Sequence, residues 1–108
     1  MRPLLRSEEM LLLAVWKLQP NAYGVPIRQY LSEVTGRDWP IASVYVPLDR
    51  LVDYGLIRPT DGAPTGKRGG RRRRLFSLTP KGQDALAELN RIHAALWEGF
   101  PKLGLQNG

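Results

Sequence analysis

The sequence contains no cysteine and only one histidine, His93. Without cysteine there are no disulfides and no thiolate chemistry, and a reducing cytosol suits such a chain. One imidazole falls short of the usual zinc ligand set. No paired acids stand in a catalytic pattern, so no metal, no cofactor and no enzymatic role is expected. Long apolar runs are also missing. The run Met10 to Trp16 is far too short to cross a bilayer. Glu8 and Glu9 precede it, where a secretion leader would carry basic residues. A cytoplasmic protein with no membrane partner is the expectation.

Anions are absent from one stretch in particular. The net charge is +6, from 16 Lys and Arg against 10 Asp and Glu. Lys67, Arg68, Arg71, Arg72, Arg73 and Arg74 lie within eight residues that hold no acid, so the rest of the chain is neutral. A cluster this local focuses potential on one spot and suits a polyanionic partner.

What is present reads as six elements in one small domain. Ser7 followed by Glu8 and Glu9 marks a helix start, with Pro20-Asn21 closing it after Leu18. That helix is apolar on more than one face, so its second face, assigned to Leu11 and Val15, needs a partner. A second helix runs from Gly24 to Thr35 with Gly36 as its cap. Its inner stripe is Ile27, Tyr30, Leu31 and Val34. A third helix covers Ile41 to Tyr54, with Val44, Leu48 and Leu51 inward and Pro47 inviting a kink. Strands follow at Leu56 to Thr60 and Arg73 to Leu78, separated by a loop rich in glycine and proline. Thr79-Pro80 opens a last helix reaching about Phe100. The expected fold is mainly α with a small β-hairpin, a winged helix-turn-helix in the order α-α-α-β-β-α. Residues 1–78 form the DNA-binding part, 79–103 a C-terminal dimerisation helix and 104–108 a tail.

In that layout the third helix enters the major groove and the hairpin lies beside it. The face away from the core stripe carries Ser43, Val46, Pro47 and Arg50. Arg50 can donate twice to a guanine edge, or can pair with Asp49 or Asp53 on the surface. Asp49 repels phosphate unless it pairs with Arg50 or Arg58. Tyr23 and Tyr45 either reach phosphates with their hydroxyls or pack with a wet tip. The arginines of the hairpin suit phosphate or a narrow minor groove. In the last helix Leu86, Leu89, His93, Leu96, Phe100 and Leu103 form a short heptad seam flanked by Ile92 and Trp97. That apolar face is too wide for one small domain and points to a homodimer.

Several segments in order resemble the PadR family of bacterial transcriptional regulators. These are Tyr23-Gly24 with Ile27, Ser43-Val44-Tyr45, Leu48-Asp49-Arg50-Leu51, Gly55-Leu56-Ile57, Gly69-Gly70-Arg71 and Leu78-Thr79-Pro80-Lys81-Gly82. The likeness runs from about Glu8 to Leu89, and the short C-terminus resembles the small subfamily. It departs at Val52, where an acid is common, and at Ala42, often glycine. The resemblance implies a homodimeric repressor on a roughly palindromic operator in double-stranded DNA, released by a small aromatic effector. Trp97 is then the candidate effector contact. Two other readings fit the same layout, a protein-interaction adaptor and an RNA-binding winged helix.

Overall fold

The computed structural model describes residues 3–61 and 74–101. The elements are α1 (Arg6–Leu18), α2 (Gly24–Thr35), α3 (Ile41–Asp53), β1 (Ile57–Asp61), β2 (Arg74–Leu78) and α4 (Pro80–Trp97). This is the expected order, and α4 ends about one turn earlier than expected. The cluster Lys67 to Arg73 and the seam residue Leu103 lie outside the described residues.

α1 begins at Arg6, one residue ahead of the expected Ser7 cap. The Glu8 carboxylate accepts a hydrogen bond from the Leu5 backbone N–H at 2.8 Å. An acid, rather than the serine hydroxyl, therefore satisfies a backbone donor at this helix start. α2 closes on Gly36 at φ 70°, a left-handed position that glycine occupies at little cost. Ile27 and Leu31 form its buried stripe, with Tyr30 packed partly against the core. Val34 departs from expectation and is 63% exposed. It falls in the last turn, where it lines an open groove, and Trp39 fills the core at that end instead. The Trp39 indole N–H is satisfied by Thr35 Oγ1 at 3.0 Å.

Val44, Leu48 and Leu51 of α3 are buried as expected, and Pro47 joins them rather than facing outward. Pro47 stands three residues after Val44 and four before Leu51, so the helical period widens the inner stripe to include it. β1 and β2 pair antiparallel, with Ile57 opposite Leu78, Pro59 opposite Phe76 and Asp61 opposite Arg74. The α1–α2 connector adds a bridge that the sequence did not reveal. Phe76 donates its backbone N–H to the Ala22 carbonyl at 2.8 Å.

The start of α4 is fastened to the corner between α3 and β1. Thr79 Oγ1 accepts from the Gly82 N–H at 3.0 Å and donates to the Gly55 carbonyl at 2.6 Å. Lys81 Nζ donates to the Tyr54 carbonyl at 2.8 Å. A Cβ on Gly82 would lie 2.0 Å from the Leu56 carbonyl oxygen, so only glycine permits this approach.

The core gathers Leu11, Leu12, Val15, Ile27, Leu31, Val44, Leu48, Leu51, Leu56, Ile57 and Phe76. Leu11 and Val15, expected at a subunit interface, are instead fully enclosed within their own chain. α2, α3, α4 and the hairpin all pack on α1 and use up that stripe. The outward apolar residues of α1 are Leu13 and Trp16.

Candidate nucleic-acid interface

α3 divides its residues among three directions. Val44, Pro47, Leu48 and Leu51 face the core. Ala42, Val46 and Asp49 point away from it into solvent. Ser43 and Arg50 lie on the flank toward α1, and Tyr45 lies on the flank toward α2. A helix presenting small and apolar side chains outward fits a groove closely.

Tyr45 is packed and exposed at once. Its ring rests over Gly24 at the start of α2, where an added Cβ would lie 2.0 Å from the phenol oxygen. Part of the side chain stays open to solvent. Tyr23 is half-buried and supplies the N-cap position of α2. The structure brings Tyr23 and Tyr45 to the same end of the helix-turn-helix.

Arg50 lies off the core stripe as expected, but its ion-pair partner is not one that its spacing suggested. Its Nε donates to Glu8 Oε2 at 3.0 Å, and it pairs with neither Asp49 nor Asp53. Glu8 is fully buried, whereas the Arg50 side chain is 40% exposed. An exposed ion pair contributes about 1 kcal/mol or less, and breaking a fully buried one costs about 3–5 kcal/mol. Removing Arg50 falls between these limits, at about 2–3 kcal/mol. A bidentate arginine–guanine contact discriminates by about 1–3 kcal/mol, a comparable magnitude, and the Glu8 pair engages Arg50 through Nε alone. Glu8 escapes a reading of the sequence because acids in a first helical turn usually serve the dipole. The available signal is its spacing: Glu8 precedes Leu11 by three and Leu12 by four, which puts it on the buried stripe.

Asp49 is neutralised by the hairpin. Arg74 donates to its carboxylate at 3.2 Å, so the partner is neither Arg50 nor Arg58. The Arg74 guanidinium also sits 5.5 Å from the centre of the Phe76 ring. The first cation of β2 thereby lies beside the recognition helix. Beside α3 lies a groove of about 1010 Å³ that adds two cations with no motif to mark them in the sequence, Arg6 and Arg37. Arg28 fastens the turn between α2 and α3 by donating to the Trp39 carbonyl and pairing with Asp38.

On the opposite side α4 leaves the core. Leu86 packs partly against the core, Leu89 is half-buried, and Ile92, Leu96, Trp97 and Phe100 are exposed. Trp97 and Phe100 meet edge to face at 5.0 Å. His93 Nε2 lies 3.1 Å from Glu9 Oε2 and ties α4 to α1. Glu88 and Arg91 form an exposed pair along α4. The hydrogen bond from Arg91, helped by its charge, holds the Glu88 carboxyl below its ordinary range. Among the described residues no three His, Asp or Glu converge on a metal site, and no helix is long and apolar enough to cross a membrane.

A recognition helix with a hairpin beside it, on a three-helix core, defines a winged-helix DNA-binding regulator. Residues 12–88 match the model of the transcriptional regulator PadR-like family, and the chain belongs to that family. It is similar to a PadR-like transcription factor from Bacteroides fragilis, at 30% identity and a TM-score of 0.72. That match covers 84% of this chain and 82% of the other. The fold is shared with RosR of H. salinarum at 24% identity, TM-score 0.68, covering 93% and 83% of the two chains. A Streptococcus transcriptional regulator also shares it at 24% identity, TM-score 0.68, covering 89% and 91%. No curated protein matches the chain.

Proposed function

We propose that this protein is a homodimeric, sequence-specific repressor that binds a roughly palindromic operator. α3 lies in the major groove, where Ser43 and Tyr45 meet bases or phosphates and Val46 meets thymine methyl groups. Tyr23 supports Tyr45 at that end. Lys67, Arg68 and Arg71 to Arg74 hold the flanking phosphate backbone or minor groove. The observation that carries this reading is the Arg74–Asp49 pair at 3.2 Å. It sets Arg74, the first cation of β2, beside the exposed face of α3.

The second subunit covers the apolar face formed by Ile92, Leu96, Trp97 and Phe100, together with Leu13 and Trp16 of α1, which line a hollow with Leu86 and Ala87 of α4. A small aromatic effector stacks on Trp97 and releases the operator. The effector and the repressor role rest on the family likeness, and the exposed aromatic pair Trp97 and Phe100 supports a stacking site.

Selection of bound sites from random duplex DNA tests the reading. The expected product is two inverted half-sites with centres about one helical turn, 10–10.5 base pairs, apart. An excess of competitor RNA should leave binding unchanged. Selection that enriches no sequence, or displacement by RNA at equal concentration, would favour an adaptor or an RNA-binding module.

A further inference from the structure

We infer that Glu8 is a positioning residue for DNA reading, acting through Arg50 to fix how α3 is set against α1. The inference rests on the reading of α3 as the helix that contacts bases. Glu8 is the only charged side chain among the buried residues described. Each of its carboxylate oxygens has its own partner. Oε1 accepts from the Leu5 N–H at 2.8 Å and Oε2 from Arg50 Nε at 3.0 Å. These contacts join the first turn of α1 to the third turn of α3, 42 residues away.

The other contacts of α3 with the core, through Val44, Leu48 and Leu51, are apolar. Such contacts are non-directional and fix no particular angle between two groups. A charge-assisted hydrogen bond specifies both distance and angle. Arg50 lies one turn beyond Val46 and two turns beyond Ser43, on the wall of the same groove. Holding Arg50 therefore sets where both of those side chains emerge. The next residue of α1, Glu9, reaches the other way to His93 of α4 at 3.1 Å. The turn that positions α3 is thus itself braced by α4.

The test uses the full chain, a selected operator and a random-sequence duplex of equal length at one salt concentration. Glu8→Gln keeps the size and the acceptor for Leu5 while removing the charge. Glu8→Gln and Arg50→Gln should each lower the operator-to-random affinity ratio by about tenfold, spread over every base pair that α3 contacts. The double variant should be no worse than the poorer single one, since both remove the same tie. Arg50→Lys, which returns a cation to Glu8, should restore the ratio to within about threefold of the native value. In the DNA-free protein, hydrogen exchange of amides in 41–53 should speed up by about tenfold in Glu8→Gln, with those in 80–97 changed by less than about threefold. The inference is overturned if Arg50→Gln erases preference at a single base pair while Glu8→Gln leaves the profile intact, because Arg50 is then a base reader. Unchanged exchange across α3 also overturns it. If the native chain discriminates no DNA, the reading of α3 fails, and the exchange arm still decides whether Glu8 positions the helix.

Discussion

Gly82 illustrates how a single residue decides a junction in this fold. Alanine is the better helix former by about 1 kcal/mol, and by propensity alone Gly82→Ala would stabilise α4. The new methyl would instead meet the Leu56 carbonyl oxygen at 2.0 Å, and that oxygen belongs to the backbone. The expected outcome is a net loss of about 1–3 kcal/mol, read as a lower urea midpoint with an unchanged slope. A variant more stable than the native chain would show that α4 does not dock this closely. Gly24 makes the opposite case. A methyl there meets the outer end of the Tyr45 ring at 2.0–2.9 Å, and that ring can swing away. Gly24→Ala should therefore weaken operator binding by about threefold to tenfold while shifting stability by less than about 1 kcal/mol. Titration and melting of the same sample check both halves.

The hairpin acts as an element. Arg74 is tied to Asp49 and stacked near Phe76, so it belongs to the scaffold as much as to the DNA-facing surface. Replacing Arg71 to Arg74 by alanine should weaken binding to all DNA sequences nearly equally. It should also flatten the salt dependence, by a slope of about 0.9 for each phosphate that is no longer neutralised. An unchanged salt slope in anisotropy titrations would mean that the hairpin does not touch the backbone. Both members of the Arg74–Asp49 pair are more than half exposed, so Asp49→Ala should change stability by less than about 1 kcal/mol. It should raise affinity for random DNA, because an anion leaves the reading face. The element order was legible because punctuation marks it: Gly36 after α2, Gly55 after α3, and Thr79-Pro80 before α4. The Ala22–Phe76 bridge was not legible, since one backbone pair leaves no periodic signal.

Across the whole molecule, two apolar surfaces that look alike in sequence have opposite fates. Leu11 and Val15 vanish into the core, while Leu96 stays 74% exposed. Leu96→Glu should therefore leave the folded subunit intact and break the dimer, because the charge becomes buried only on association. Sedimentation should show a monomer with unchanged far-ultraviolet circular dichroism. A native chain that is monomeric and fully soluble at micromolar concentration would defeat the dimer reading. The matching change at Leu11 should unfold the chain outright, which separates interface from core.

By itself, the sequence determined the number and order of elements, the inward stripes of α2 and α3 apart from Val34 and Pro47, and the local excess of cations near the hairpin. These follow from short-range rules: helical period, capping chemistry and the residues that end a turn. Only tertiary structure decided which face of α1 was left open, because that depends on how many neighbours pack around it. It also decided the partners of the charged residues. Glu8 with Arg50, Asp49 with Arg74 and Glu9 with His93 join segments 42, 25 and 84 residues apart. Spacing along a helix predicts neighbours three and four residues away, such as Glu88 and Arg91, and carries no information about a partner on another helix.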